Sequence, residues 1–349
     1  MTTPRVPLSV LDLATVSGGG TSRDALLATT ELARRADELG YARFWVAEHH
    51  AMPAVASTAP AVLIAHLAAR TERIRVGSGG VMLPNHPTLV VGEQFAMLEA
   101  LHPGRIDLGI GRAPGADPLT AVALRRNAAG DPVEQFPAEV VDTLALLGRD
   151  VDGRAPSAAA RRLRATPAPL SSPQVWLLGS STYSARLAGE LGLPFAYAHH
   201  FSTGQTDAAV ATYREAFRPS GGLPSSRLLL TTSVLVAPTA DEARHLAGPS
   251  RVMALSLRTG RLGPVVSPDD AAATLGELER TAPPTVVELL AGLPGTQVVG
   301  TAADAVAALE GLVDRTGADE LMVTGTAYDV RTRIETLEQL AVAWGMRGD

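Results

Sequence analysis

Apolar residues along the chain fall into two rhythms. Short runs rich in β-branched or large apolar residues stand at Val6–Leu11, Phe44–Ala47, Ile74–Val81, Ile106–Ile110, Val175–Leu178, Phe195–Ala198, Leu228–Val236 and Leu321–Val323, with the length and composition of buried strands. Between them, apolar residues three and four apart mark Asp24–Leu39, Pro60–Arg70, Pro87–Leu101, Val133–Leu147, Ser184–Leu191, Asp207–Phe217, Asp241–Leu257 and Ala302–Arg315, with a last such stretch at Val330–Trp344. That spacing lines one face of a helix. Strand and helix alternate throughout, the pattern of a parallel sheet covered on both faces. Eight strands in this alternation predict an α/β protein folded as a closed (β/α)8 TIM barrel, with 1–349 as a single domain. Two connections exceed a plain unit: 149–173, rich in Pro, Ala, Ser and Arg, and 258–298. Both read as insertions within the barrel, the second as a candidate mobile lid.

Composition narrows the function. With 46% hydrophobic and 19% charged residues the chain can fill a large core, yet no apolar run reaches the roughly 18 residues of a membrane span. Val6–Val16 imitates the apolar part of a secretory signal, but Asp12 interrupts it and a glycine-rich turn follows, so it reads as the first strand of a cytoplasmic protein. The balance of 36 acidic against 30 basic residues, net −6, argues against a nucleic-acid or anionic-membrane surface. Every basic residue is arginine, and cysteine is absent. Schiff-base and P-loop lysines, thiolate nucleophiles, disulfides and cysteine-ligated metals are thereby excluded.

In such barrels the reactive groups gather where strands end. The second strand ends in Glu48, His49 and His50, and the sixth in His199 and His200. The third carries Gly77, Gly79 and Gly80, residues that weaken a strand unless something must approach its backbone closely. Arg112 follows Gly109 and Gly111 at the end of the fourth. The fifth runs through Gly179, Ser180, Ser181, Thr182, Tyr183 and Ser184 directly into a helix. Backbone N–H groups and hydroxyls converge there; the segment by itself favours simple helix capping, and its other reading is an anion site, most naturally for a phosphate. Neither Gly77-x-Gly79 nor Gly109-x-Gly111 extends to G-x-G-x-x-G, so the chain shows no nicotinamide site of its own. Histidine pairs beside Glu48 suggest metal ligands, and a metal-dependent barrel hydrolase stands as a reading from another class. Against it, neighbours on a strand point to opposite faces, and one histidine of each pair can equally be a hydrogen-bonded core group, which leaves no metal expected.

The segments LGYARFWVAEHH, RIRVGSGGVMLPNHP, HPGRIDLGIGRAPG, VWLLGSSTYSARLAGELGLPFAYAHHF and GADELMVTGTAYD occur in this order along almost the whole chain. Together they resemble the bacterial luciferase-like flavin-dependent monooxygenases, above all the single-gene bacterial members, some of which tailor antibiotics. The resemblance implies FMN bound in its reduced form, FMNH2, and fed by a separate NAD(P)H:flavin reductase. It further implies reaction with O2 to a flavin C4a-hydroperoxide, transfer of one oxygen atom to a small organic substrate, and a homodimer joined near the second and third units. An oxidoreductase of the same fold using the deazaflavin F420 is the nearest alternative. By position, Gly79 and Gly80 match the family's non-prolyl cis peptide at the flavin ring, and Arg112 matches its flavin arginine. Gly179, Ser180, Ser181, Tyr183 and Ser184 match its phosphate segment, and His199 matches a ring set beside the flavin. His49 matches a catalytic base, with His50 next to it. The chain departs from the light-emitting members at Gly111, where they carry a reactive cysteine, at Gly79 and Gly80, where they carry alanines, and in 258–298, which implies a reaction without bioluminescence.

Overall fold

The computed structural model describes residues 5–113, 118–124, 132–168, 170–220, 222–259, 263–282 and 297–346. Its strands are β1 (Leu8–Asp12), β2 (Arg43–Val46), β3 (Arg75–Ser78), β4 (Val81–Met82), β5 (Ile106–Gly111), β6 (Gln174–Gly179), β7 (Phe195–Tyr197), β8 (Leu228–Val236), β9 (Gln297–Gly300) and β10 (Glu320–Thr324). The helices are α1 (Ser22–Glu38), α2 (Pro60–Ala68), α3 (Thr88–Leu101), α4 (Pro118–Leu124), α5 (Pro132–Leu146), α6 (Ala158–Arg162), α7 (Thr182–Glu190), α8 (Thr206–Ala216), α9 (Ala240–Thr259), α10 (Pro268–Thr281), α11 (Ala302–Thr316) and α12 (Val330–Trp344). Parallel pairing runs β1-β2-β3-β5-β6-β7-β8-β10 and returns to β1, so eight strands close the expected TIM barrel. Local chemistry sets the helix ends. Thr21 with Asp24 and Thr301 with Asp304 form reciprocal capping boxes at α1 and α11, and Gly317 ends α11 in the left-handed region.

Two strands differ from the expectation. The run Ile74–Val81 is broken: β3 stops at Ser78, the Gly79–Gly80 peptide is cis, and Val81 and Met82 pair as β4 with Ile110 and Gly111 of β5. A Cβ on Gly80 would stand 2.8 Å from the Gly109 carbonyl oxygen, so the break depends on two bare backbones meeting. The second difference is β9, which lies at the margin of the segment read as an insertion. The first half of β8 pairs with β10 and the second half, from Ser233 to Val236, with β9. Four residues emerging from Pro- and Gly-rich sequence are too few to announce a strand by periodicity. Within 258–298, α10 is a regular helix, while 260–262 and 283–296 lie outside the described residues. The 149–173 stretch contains an antiparallel bridge from Val151 to Arg154 and the short α6. Among the described residues no helix is long and apolar enough to cross a membrane.

Alternation along each strand sends side chains to two cores. Phe44, Val76, Leu108, Leu177 and Phe195 pack outward against the helices. Leu11, Trp45, Trp176, Leu229 and Met322 fill the barrel interior, with Trp45 and Trp176 edge-to-face at 5.6 Å. Beneath them, at the amino-terminal ends of the strands, lies a buried polar layer. Arg43 donates to Asp107 at 2.7 Å and to Glu320 at 2.8 Å, while Trp45 Nε1 and Arg75 also donate to Asp107. Ser9 adds a bond to Glu320. The guanidinium of Arg43 lies over Trp176, 4.9 Å from its centroid. This layer seals the bottom of the barrel and leaves the opposite end open.

Candidate active site

A cavity of about 620 Å³ opens at the carboxyl-terminal ends of the strands. Its floor is the interior apolar layer, where Leu11, Trp45 and Met322 come to the surface. One wall is nearly bare backbone, Gly79 and Gly80. A Cβ on Gly79 would stand 2.7 Å from Leu11 Cδ1 and 3.2 Å from Trp45 Cβ, so glycine keeps this wall flat and a side chain there would have to displace Leu11.

The next wall is the exit of β6. Only Ser180 and Ser181 separate this strand from α7. Ser181 occupies the N-cap with extended backbone (φ −143°, ψ 163°), but its side chain makes no cap bond. Capping is therefore not how this hydroxyl is used. Ser180, Ser181 and Ser184 all line the cavity. Gly179 lets the turn close, since a Cβ there would fall 2.2 Å from that of Ser184. Open N–H groups of a first helical turn, the positive end of the helix dipole and an uncommitted hydroxyl together fit a phosphate. Arg112, just beyond β5, adds a fixed positive charge. Its guanidinium lies over the ring of Tyr183, 4.4 Å from the centroid, which holds it beside the start of α7. Tyr183 itself is 44% exposed and stands outside the cavity wall as the platform for that arginine.

The residues after β2 divide by alternation. Trp45, Ala47 and His49 face the cavity, whereas Glu48 and His50 turn away. Glu48 is buried, and its Oε1 accepts from His50 Nε2 and His86 Nε2, each at 2.8 Å, while Oε2 accepts from the Met82 N–H at 3.0 Å. Burial by itself would raise this carboxyl, but the bonds and charge of His86, with those of His50 and Met82, outweigh it and hold Glu48 below the usual carboxylate range. The three ligand atoms lie within 4.8 Å of one another, a grouping able to take a metal ion. As it stands the carboxylate accepts three hydrogen bonds, and through them it ties the end of β2 to Met82 and His86.

At the end of β7 the cavity wall continues through Ala196, Ala198 and His200. His199 points the other way, into a bond of 2.7 Å between its Nδ1 and Thr206 Oγ1. The ring the cavity receives from this pair is thus that of His200, which lies against Phe201 with centroids 4.1 Å apart and planes tilted by 40°. Desolvation pushes His200 down to about 4. Its Nδ1 faces the Thr231 carbonyl at 3.2 Å; a carbonyl only accepts, so the neutral ring carries its proton on Nδ1 and keeps Nε2 as an acceptor. Carrying the alternation forward from Ala196 would have pointed to His200.

Of the residues expected at the site, His49, Gly79, Gly80, Arg112, Gly179, Ser180, Ser181 and Ser184 share the cavity, and His50, Tyr183 and His199 stand behind it. The far wall was not foreseen. It comes from α9, through Ser250, Arg251, Met253, Ala254 and Leu257, and from the turn after β10. Pro249 lies inside α9, immediately before the residues that line the cavity.

A family model described as luciferase-like monooxygenase matches residues 6–343. The luciferase-like monooxygenase of Escherichia coli strain K12 is 38% identical over 338 residues, 97% of each chain. The N-acetyl-S-alkylcysteine monooxygenase of Bacillus subtilis strain 168 is 38% identical over 273 residues, 77% of this chain and 79% of that one. The solved structure of apo-MsnO8 superposes with a TM-score of 0.87 at 37% identity, covering 99% of this chain and 100% of that one. Two remoter structures share the fold alone. One is the oxygenating constituent of 3,6-diketocamphane monooxygenase of Pseudomonas putida in complex with FMN, at 19% identity and TM-score 0.71, covering 97% of this chain and 98% of that one. The other is an F420-dependent secondary alcohol dehydrogenase with an F420-acetone adduct, at 15% and 0.67, covering 97% and 99%. Matched by the family model from the first strand to the last helix, and barrelled like its solved relatives, the chain belongs to the luciferase-like monooxygenases.

Proposed function

We propose that the protein binds reduced FMN and uses O2 to insert one oxygen atom into a small organic substrate. The observation that carries this reading is the β6–α7 turn, where Ser181 caps a helix without bonding to it, beside Arg112 and within one cavity. When bound, reduced FMN supplies the electrons and the activation of O2. The protein's own residues do the rest. The first turn of α7, with Ser180 and Ser181, holds the phosphate, and the flat wall at Gly79 and Gly80 takes the ring face. The fixed charge of Arg112 favours the anionic, reduced form of the ring. Leu11, Trp45 and Met322 keep the floor dry, and His49 and the neutral His200 manage protons at the open side.

The nicotinamide fingerprint missing from the sequence fits delivery of reduced flavin by a separate NAD(P)H:flavin reductase, with both proteins in the cytoplasm. Anaerobic titration with photoreduced FMN tests the reading: a saturable complex is expected, and its absence would end it. Under ¹⁸O2 a genuine substrate gains one labelled oxygen. The F420 alternative is supported by the dehydrogenase that shares the fold; it predicts saturable F420 binding and substrate oxidation without oxygen uptake.

A further inference from the structure

Two guanidinium groups line the cavity, Arg112 and Arg251, and its described lining contains no carboxylate. Arg112 is engaged on the phosphate side, over Tyr183. Arg251 approaches from elsewhere: it lies on α9, which follows β8, two strands round the ring from β6 and three from β5. Its Nε is buried and has no hydrogen-bond partner among the described residues. The deeply buried Arg43 is ion-paired with Asp107 and Glu320, and Arg333, whose Nε is likewise unbonded, is ion-paired with Asp12 through Nη1, whereas the half-buried Arg251 has no ion pair among the described residues. A charged donor kept from water and left unbonded is costly, and a ligand acceptor would remove that cost.

The surroundings define what kind of ligand. Ser250, Met253, Ala254 and Leu257 fall at i, i+3, i+4 and i+7 of α9, one stripe along the cavity, with Arg251 at its edge. Pro249 immediately precedes this stripe, within the helix. A fixed cation at one end of an apolar strip matches an amphiphile with a single anionic head. Charge balance points the same way. The phosphate has its own partners in the first turn of α7, Ser180 and Ser181, and Arg112 serves the reduced ring, so the second cation on the far wall is left for a second anion.

We propose that the organic substrate is an acid, its carboxylate paired with Arg251 and its apolar part laid along Met253, Ala254 and Leu257. The proposal rests on the reduced-flavin reading and adds the class of substrate to it. It is tested by calorimetric titration of the whole protein, with and without saturating FMN, using octanoate, 4-phenylbutanoate and N-acetylmethionine, each beside its primary amide. At least one acid is expected to bind about tenfold or more tightly than its amide. Arg251→Gln is expected to erase that preference, Arg251→Lys to restore part of it, and the FMN affinity of both variants to stay within about twofold of the parent, since Arg251 lies away from the phosphate segment. Equal binding of every acid and its amide would overturn the proposal, as would a preference that survives in Arg251→Gln. A parallel loss of FMN affinity in Arg251→Gln would overturn it too, by placing this arginine on the cofactor. The underlying reading fails separately: a parent protein that takes up no reduced FMN refutes it whatever the acids do, whereas normal FMN binding with indifferent acids refutes only the substrate class.

Discussion

At the scale of single residues, Ser181 separates two effects that usually travel together. A serine that caps its helix costs about 1 kcal/mol when cut to alanine. Here the hydroxyl makes no such bond, so Ser181→Ala is expected to leave the melting temperature within about 1 °C while weakening FMN roughly tenfold, the value of a hydrogen bond to a charged group. Paired thermal melts and flavin titrations check it; a large drop in stability would return this serine to a capping role. Arg112→Ala is expected to lower affinity for reduced FMN more than for oxidised FMN, because its charge acts on the anion, and equal losses would remove that role. His49→Ala should leave flavin affinity nearly unchanged while slowing oxygen transfer by about 10²-fold or more. Single-turnover product formation measures this, and an undiminished rate would leave His49 a structural residue. At this scale the sequence was legible where geometry is periodic. Glycine at Gly79 and Gly80 announced a close backbone approach, and alternation from Trp45 carried His49 inward. The same parity from Ala196 selects His200, but β7 ends at Tyr197 and the assignment of His199 came from resemblance rather than from spacing.

At the scale of elements, eight barrel strands and their helices could be read because each is a run with one clear period. What escaped has no period. The polar layer under the barrel is assembled from single residues near the starts of different strands, Ser9, Arg43, Asp107 and Glu320. Their partnership spans from 64 to 311 residues of sequence, and nothing local marks it. The same holds for His86, which meets Glu48 across the break between β3 and β4. Arg43→Met leaves Asp107 and Glu320 buried with less compensation, and removing one partner of such a pair costs about 3–5 kcal/mol. Denaturant unfolding should show a loss of that order. The double replacement of Arg43 and Glu320 by apolar residues should recover part of it, and additive losses would contradict a coupled layer.

At the scale of the molecule, charge and apolar surface are distributed unevenly. The chain carries net −6, yet the described lining of its cavity holds two arginines and no acid. Outside, Val62 of α2 and Val90, Met97 and Leu101 of α3 are exposed on helices that pack together, the part of the barrel proposed above as its self-association face by resemblance. A second copy of the chain would cover them. Sedimentation of the 36.2 kDa chain is expected to give twice that mass, and Met97→Asp with Leu101→Asp to halve it; an unchanged mass would move the contact elsewhere. One further consequence follows from the sealed end of the barrel. Under the proposed function, a vessel whose described walls leave a single door imposes turn-taking: flavin, oxygen and the molecule to be oxidised would all pass the same threshold, and a tightly seated late arrival would detain whatever entered before it. Turnover should then be slowed by an excess of the last guest, because the spent cofactor must wait behind it to be exchanged.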